Sequence, residues 1–122
     1  MGGVLRIDKK MSPPSWMPTA GVFDFTVERM GALMQEERLD IAQKFLDSTE
    51  ETNGISFLNI EDFPLADKEY VLTILVKLRQ VLIDESKIYP GKINYEGMDK
   101  RLSDFEALLR QSIERMKSES GG

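Results

Sequence analysis

The groups in this chain that could do chemistry are carboxylates. Asp and Glu number 21 in 122 residues, and there is neither histidine nor cysteine. Histidine is the usual general base near neutral pH and the commonest transition-metal ligand. Its absence, with that of cysteine, excludes Ser-His and Cys-His nucleophilic catalysis. It also excludes disulfides and leaves Zn, Cu and haem without their usual holders. Carboxylate catalysis and oxygen-ligated Mg²⁺ or Ca²⁺ remain open. Adjacent acids occur at Glu36-Glu37, Glu50-Glu51, Glu61-Asp62 and Asp84-Glu85. Sequence neighbours point apart on a helix, so only Glu37 with Asp40 and Asp47 with Glu50, at i, i+3, are expected to share a face. Carboxylate-bridged metal bundles combine such acids with Glu-x-x-His, which this chain cannot supply. No P-loop, GxGxxG, zinc or EF-hand pattern is present. The expectation is no catalytic residue, no metal and no cofactor.

The acids are unevenly placed. Residues 36–69 carry ten of them against Arg38, Lys44 and Lys68, a net −7, whereas the whole chain is −5. One reading is a solvated face. The other is an electrostatic surface for a basic protein, acting on encounter rate and selectivity more than on affinity. Glu36, Glu37 and Asp40 are its candidate contact residues. Nucleic acid is the wrong partner, because phosphate binding needs a clustered basic face.

Aromatic side chains supply the second set of candidates. The stretch SPPSWMPTAGVF (residues 12–23) holds three of the five prolines around the only tryptophan. Trp16 is either a lid on the core or, with Met17, an anchor displayed by a pre-ordered loop; tryptophan is enriched at binding hot spots, and proline lowers the ordering cost. Tyr89 and Tyr95, around Pro90-Gly91 and beside Lys87 and Lys92, form a second candidate of that kind.

These residues need elements to hold them. VLRI (residues 4–7) is β-prone and reads as an edge strand, followed by an extended Pro/Trp segment that completes residues 1–21. Phe23, Val27, Met30, Met34, Ile41 and Phe45 recur at helical spacing, with Asp24 as a candidate N-cap. That periodicity predicts one helix or two joined near Gln35, closed by Asn53-Gly54. ISFLNIEDF is a strand or a packed connector. A helix is predicted from Pro64 with Asp62 as its cap. EYVLTILVKLRQVLIDES shows one narrow polar stripe, Thr73, Lys77, Gln80 and Asp84, so it is expected to be the central core helix with Leu75 and Leu78 fully buried. Pro90-Gly91 marks a type II turn, with a short hairpin or ordered loop expected over residues 88–93. A last helix is expected from Met98, on a stripe with Leu102, Phe105 and Leu109, fraying before a disordered tail at 119–122.

The segment KIYPG (residues 87–91) is similar to the tyrosine-containing loop of the colicin nuclease immunity family. That similarity covers these few residues, and the Pro/Trp opening departs from the family's pattern, so no binding residues are carried over. The longest apolar run is interrupted by Lys77, Arg79 and Gln80, short of the ~20 residues that span a bilayer, and the N-terminus lacks the order of charge and apolar run of a signal peptide. The sequence thus predicts a mainly α-helical single domain, a small bundle of three to four principal helices in residues 22–118 with a minor β-hairpin or edge strand. It predicts a soluble, cytoplasmic, non-enzymatic protein-binding module, monomer or small homo-oligomer. Its most concrete form is a bacterial toxin-neutralising immunity protein that holds a basic protein. A structural or phage assembly subunit is the alternative, and a carboxylate-dependent enzyme a third.

Overall fold

The computed structural model describes residues 2–52 and 54–120. Near the N-terminus the alternation of Leu5 and Ile7 with Val4 and Arg6 makes a half-buried strand, β1 (Gly3–Arg6), with Leu5 and Ile7 fully buried. The chain returns through the prolines as β2 (Ser15–Trp16), antiparallel to β1. Two helices follow, α1 (Ala20–Glu37) and α2 (Leu39–Asp47). Then come a hairpin of β3 (Thr49–Thr52) and β4 (Ile55–Asn59), and the long helices α3 (Leu65–Ile88) and α4 (Tyr95–Ser120). The strands form one sheet in the order β2-β1-β4-β3, with β1 parallel to β4 and β3 antiparallel to it.

The mainly helical reading holds, with four helices among the described residues, but the molecule is not a pure bundle: helices cover one face of a four-stranded sheet. The expected edge strand at residues 4–7 lies inside that sheet, flanked by β2 and β4. Pairing of β1 with β4 also joins the N-terminal stretch to the helical part across the boundary expected at residue 21. The inner face carries Leu5, Ile7, Leu58 and Ile60, all fully buried, while Arg6 and Asn59 stand exposed on the other. Gly3 lets α1 approach β1 closely: a Cβ there would lie 2.2 Å from Phe23 Cγ.

Local signals explain most boundaries. The helical run breaks at Arg38, whose φ of −139° and ψ of 84° leave the helix, so α1 and α2 are separate. Glu37 and Asp40 therefore do not share one helix face, and neither do Asp47, at the end of α2, and Glu50, in β3. α1 begins at Ala20 with Thr19 in the cap position, not at Asp24; α3 begins after Pro64, and Asp62 does not cap it. The expected stop at Asn53-Gly54 is instead the connection of the β3–β4 hairpin: Thr52 pairs with Ile55, and Gly54 takes φ +78°. Asn53 itself lies outside the described residues. Asn-Gly between short strands is the strongest short-range hairpin signal, and here it outranks the helix-stop reading.

Leu75 and Leu78 are buried as expected, at 0% and 1% exposure. The outer face of α3 is wider than one polar stripe, since Val76 and Ile83 remain 42% and 43% exposed beside it. No hairpin forms over residues 88–93. α3 runs to Ile88, and a turn follows in which Lys92 N–H donates to Tyr89 O (3.3 Å) with Gly91 at φ +85°, the positive φ that a type II turn needs at its third position. α4 starts at Tyr95, earlier than Met98, and continues through Ser120, so Glu119 belongs to it and not to a tail; Gly121 and Gly122 lie outside the described residues.

Candidate partner-binding surface

Of the two roles open to Trp16, the structure shows the lid. Its ring is 5% exposed and stacks on Phe105 of α4, with centroids 4.8 Å apart and planes 14° apart. Pairing of Ser15–Trp16 with β1 sets this position, because Trp16 lies opposite the inward Leu5. Met17, one residue on, points the other way and is 74% exposed. The two therefore do not form one displayed anchor.

Tyr89 and Tyr95 also part company. Tyr89 is exposed, with Lys92 Nζ over its ring at 5.4 Å. Tyr95 is half-buried, and its hydroxyl donates to Glu85 Oε1 (3.2 Å). Burial and this bond raise the phenol above its ordinary value.

The Glu36, Glu37 and Asp40 cluster is largely compensated within the molecule. Lys77 Nζ donates to Glu37 Oε1 (2.9 Å) and Tyr70 donates to Oε2 (3.1 Å). Arg38 binds Asp40 through two bonds, 3.1 and 3.0 Å. The Lys77 bond holds the Glu37 carboxyl, and the Arg38 bond the Asp40 carboxyl, below their ordinary values. Glu69 and Asp67 are likewise met by Lys117 and Lys44.

A different set of acids has no ion pair among the described residues. α1 and the β3–β4 hairpin enclose an open groove of about 460 Å³, with Phe23 and Val27 on its apolar floor and Asp24, Glu28 and Glu51 among its walls; Glu50 borders it but, opposite Phe57 on the face of Arg6 and Asn59, turns its side chain to the other side of the sheet. Among the described residues none of these four carboxylates has an ion pair or hydrogen bond from a side chain. Nor, among the described residues, does any group of three or more acids converge to hold a metal ion. The groove is spread-out negative charge over a small apolar floor, which suits the separated cations of a polypeptide. Sequence reasoning missed it. Asp24 and Glu28 lie outside the −7 segment, although their i, i+4 spacing puts them on one exposed face of α1. Glu50 and Glu51 lie within that segment, where the helical period predicts a helix up to Asn53-Gly54, but the structure makes Thr49–Thr52 a strand.

A further polar cluster that the sequence did not signal lies in the core. Lys68 is fully buried; its Nζ donates to Ile7 O (3.0 Å) and Ser112 Oγ (2.9 Å). Ser112 in turn donates to Asp8 Oδ2 (2.8 Å), which also accepts from Arg115 Nε (2.7 Å). Lys10 N–H donates to Asp8 Oδ1 (2.9 Å). Burial pushes the Lys68 ammonium below its ordinary value, with Asp8 pulling the other way. Burial also pushes Asp8 up, but Lys10, Ser112 and Arg115 together bring it below its ordinary 3.8. Lys68, Ser112 and Asp8 are each hydrogen-bonded and Arg115 meets both Asp8 and Glu119, so the cluster ties the end of β1 to α3 and α4. No family model, curated protein or solved structure matches this chain.

Proposed function

We propose that the chain is a non-enzymatic binding module that holds a basic protein on its acidic surface, most concretely as a cytoplasmic toxin-neutralising immunity protein. The observation that carries this reading is the groove between α1 and β3, where Asp24, Glu28 and Glu51 have no ion pair among the described residues. Uncompensated charge of one sign steers an oppositely charged partner and selects against like-charged ones. The groove takes over the role first given to Glu36, Glu37 and Asp40, because the latter two already have internal partners. Among the described residues no helix is long and apolar enough to cross a membrane.

A second reading, an assembly subunit, is favoured by one observation: Val76, Ile83 and Ile88 on α3 are exposed. Light scattering separates the two, since a subunit elutes as an oligomer without any partner. The test of the first reading is affinity capture from the host at low and high salt, run beside a variant carrying Asp24→Asn, Glu28→Gln and Glu51→Gln. The expected result is a basic protein that the parent retains at low salt and the variant loses. Equal retention by both would overturn the reading.

A further inference from the structure

The sheet has two edges, and they are built differently. β2 is only two residues long and is bounded by Pro13, Pro14 and Pro18, so that edge offers a short run of outward donors, Ser15 and Met17. β3 is four residues long, holds no proline, and is exposed at every position. Among the described residues it pairs only with β4. The phase of its hydrogen bonds follows from the hairpin. Asn59 N–H donates to Ser48 O (3.4 Å), and a two-residue connection closes between Thr52 and Ile55. Residues 48, 50 and 52 therefore face β4 with their backbone groups, and Thr49 and Glu51 turn theirs to the open edge. The groove with Asp24 and Glu28 opens beside that same edge.

We propose that the β3 edge takes an extended, lysine- or arginine-rich segment of the partner as an added strand, with its alternate side chains over the acidic groove. The inference rests on the binding reading above and adds its mode. Main-chain bonds to Thr49 and Glu51 supply pairing, as in other strand-addition complexes. The period of two along the added strand sends every second cation toward Asp24, Glu28 and Glu51. Charge also selects against a second copy of this chain: two β3 edges side by side would bring Glu50 and Glu51 against their own kind, and like charges across a strand pair are unfavourable.

The probe is a short synthetic peptide of alternating lysine and threonine. Its control carries N-methyl groups on alternate residues, which keep the charge and remove the pairing donors. Binding to the intact protein is followed by calorimetry and by amide hydrogen exchange. The expected result is that the unmodified peptide binds at low salt and the methylated one binds much more weakly. Exchange at Thr49 and Glu51 should slow on binding. Glu51→Pro removes an outward donor and a charge, whereas Glu51→Gln removes the charge alone. The proline variant should bind about fivefold more weakly than the glutamine variant, the worth of one net hydrogen bond. If Glu51→Pro does not fold, the methylated peptide and the exchange data still decide. Equal binding of both peptides, with no slowing at Thr49 and Glu51, overturns strand addition and leaves the acidic reading standing. No binding of either peptide, by the parent or by the groove-neutralised variant, overturns both. Concentration-dependent self-association that protects the same amides without peptide makes a second copy the occupant and overturns the proposal.

Discussion

Trp16 and Asp8 show how a single side chain's role is set by what surrounds it. The Trp16 ring lies flat on Phe105 and fills space under β2, so its loss opens a cavity. Trp16→Ala is expected to cost ~3–5 kcal/mol, read as a lower melting temperature, while binding per folded molecule stays unchanged. Asp8 is held by Lys10, Ser112 and Arg115 in a 2% exposed site. Its folded-state carboxyl titrates below the ordinary 3.8, so the stability it adds is complete above that value and is lost as pH falls through the lower, folded one. Asp8→Asn should therefore cost ~3–5 kcal/mol at neutral pH, because Lys68 and Arg115 lose their counter-charge. It should cost much less in strong acid. Urea melts of both proteins from pH 7 to pH 2 check this: parallel acid limbs would show that Asp8 is not the group responsible.

At the scale of elements, α3 and the β1–α1 contact matter most. Leu75 lies at 0% exposure where α3 packs among α1 and α4, and Leu75→Ala should cost ~2–5 kcal/mol in a denaturant melt. The β1–α1 contact depends on the missing side chain at Gly3. A Cβ would meet Phe23 Cβ and Cγ at 2.3 and 2.2 Å, atoms too near the backbone to swing away. Gly3→Ala should therefore push α1 off the sheet and cost ~1–3 kcal/mol. Gly21→Ala on the same helix meets nothing within 4 Å and serves as its control. If the two variants melt together, α1 does not sit as closely on β1 as described.

The whole molecule distributes its charge so that one acidic region is internally paired and another is not. Glu37 and Asp40 are paired with Lys77 and Arg38, whereas among the described residues the groove acids Asp24, Glu28 and Glu51 have no ion pair. Reversing Glu37 and Asp40 together should change the association rate with a basic partner little. Reversing Asp24 and Glu28 should slow it strongly at low salt and less at high salt, since exposed charges are screened over about 10 Å at 0.1 M. Association kinetics at two ionic strengths test this. A larger effect from Glu37 and Asp40 would return the partner surface to the α1–α2 corner.

Much of the helical architecture is legible from local pattern. The 3.6-residue period of Leu75, Leu78, Leu102, Phe105 and Leu109 places α3 and α4 because a helix carries its periodicity in neighbouring residues. The lack of histidine and cysteine limits the chemistry without any fold, and the Pro90-Gly91 turn follows from one glycine's freedom at positive φ. The sheet was only half legible. TEET has no apolar alternation and becomes a strand because ISFLN lies beside it, and VLRI becomes an inner strand because β4 arrives from more than fifty positions away. The site was least legible of all. Sequence counting found the acidic segment, but tertiary packing decided which acids stay free. It brings Lys77 to Glu37 across 40 positions and, among the described residues, forms no ion pair at Asp24, Glu28 or Glu51. Charge compensation acts over a few ångströms of space, and that distance is set by how the helices and the hairpin pack, which composition does not contain.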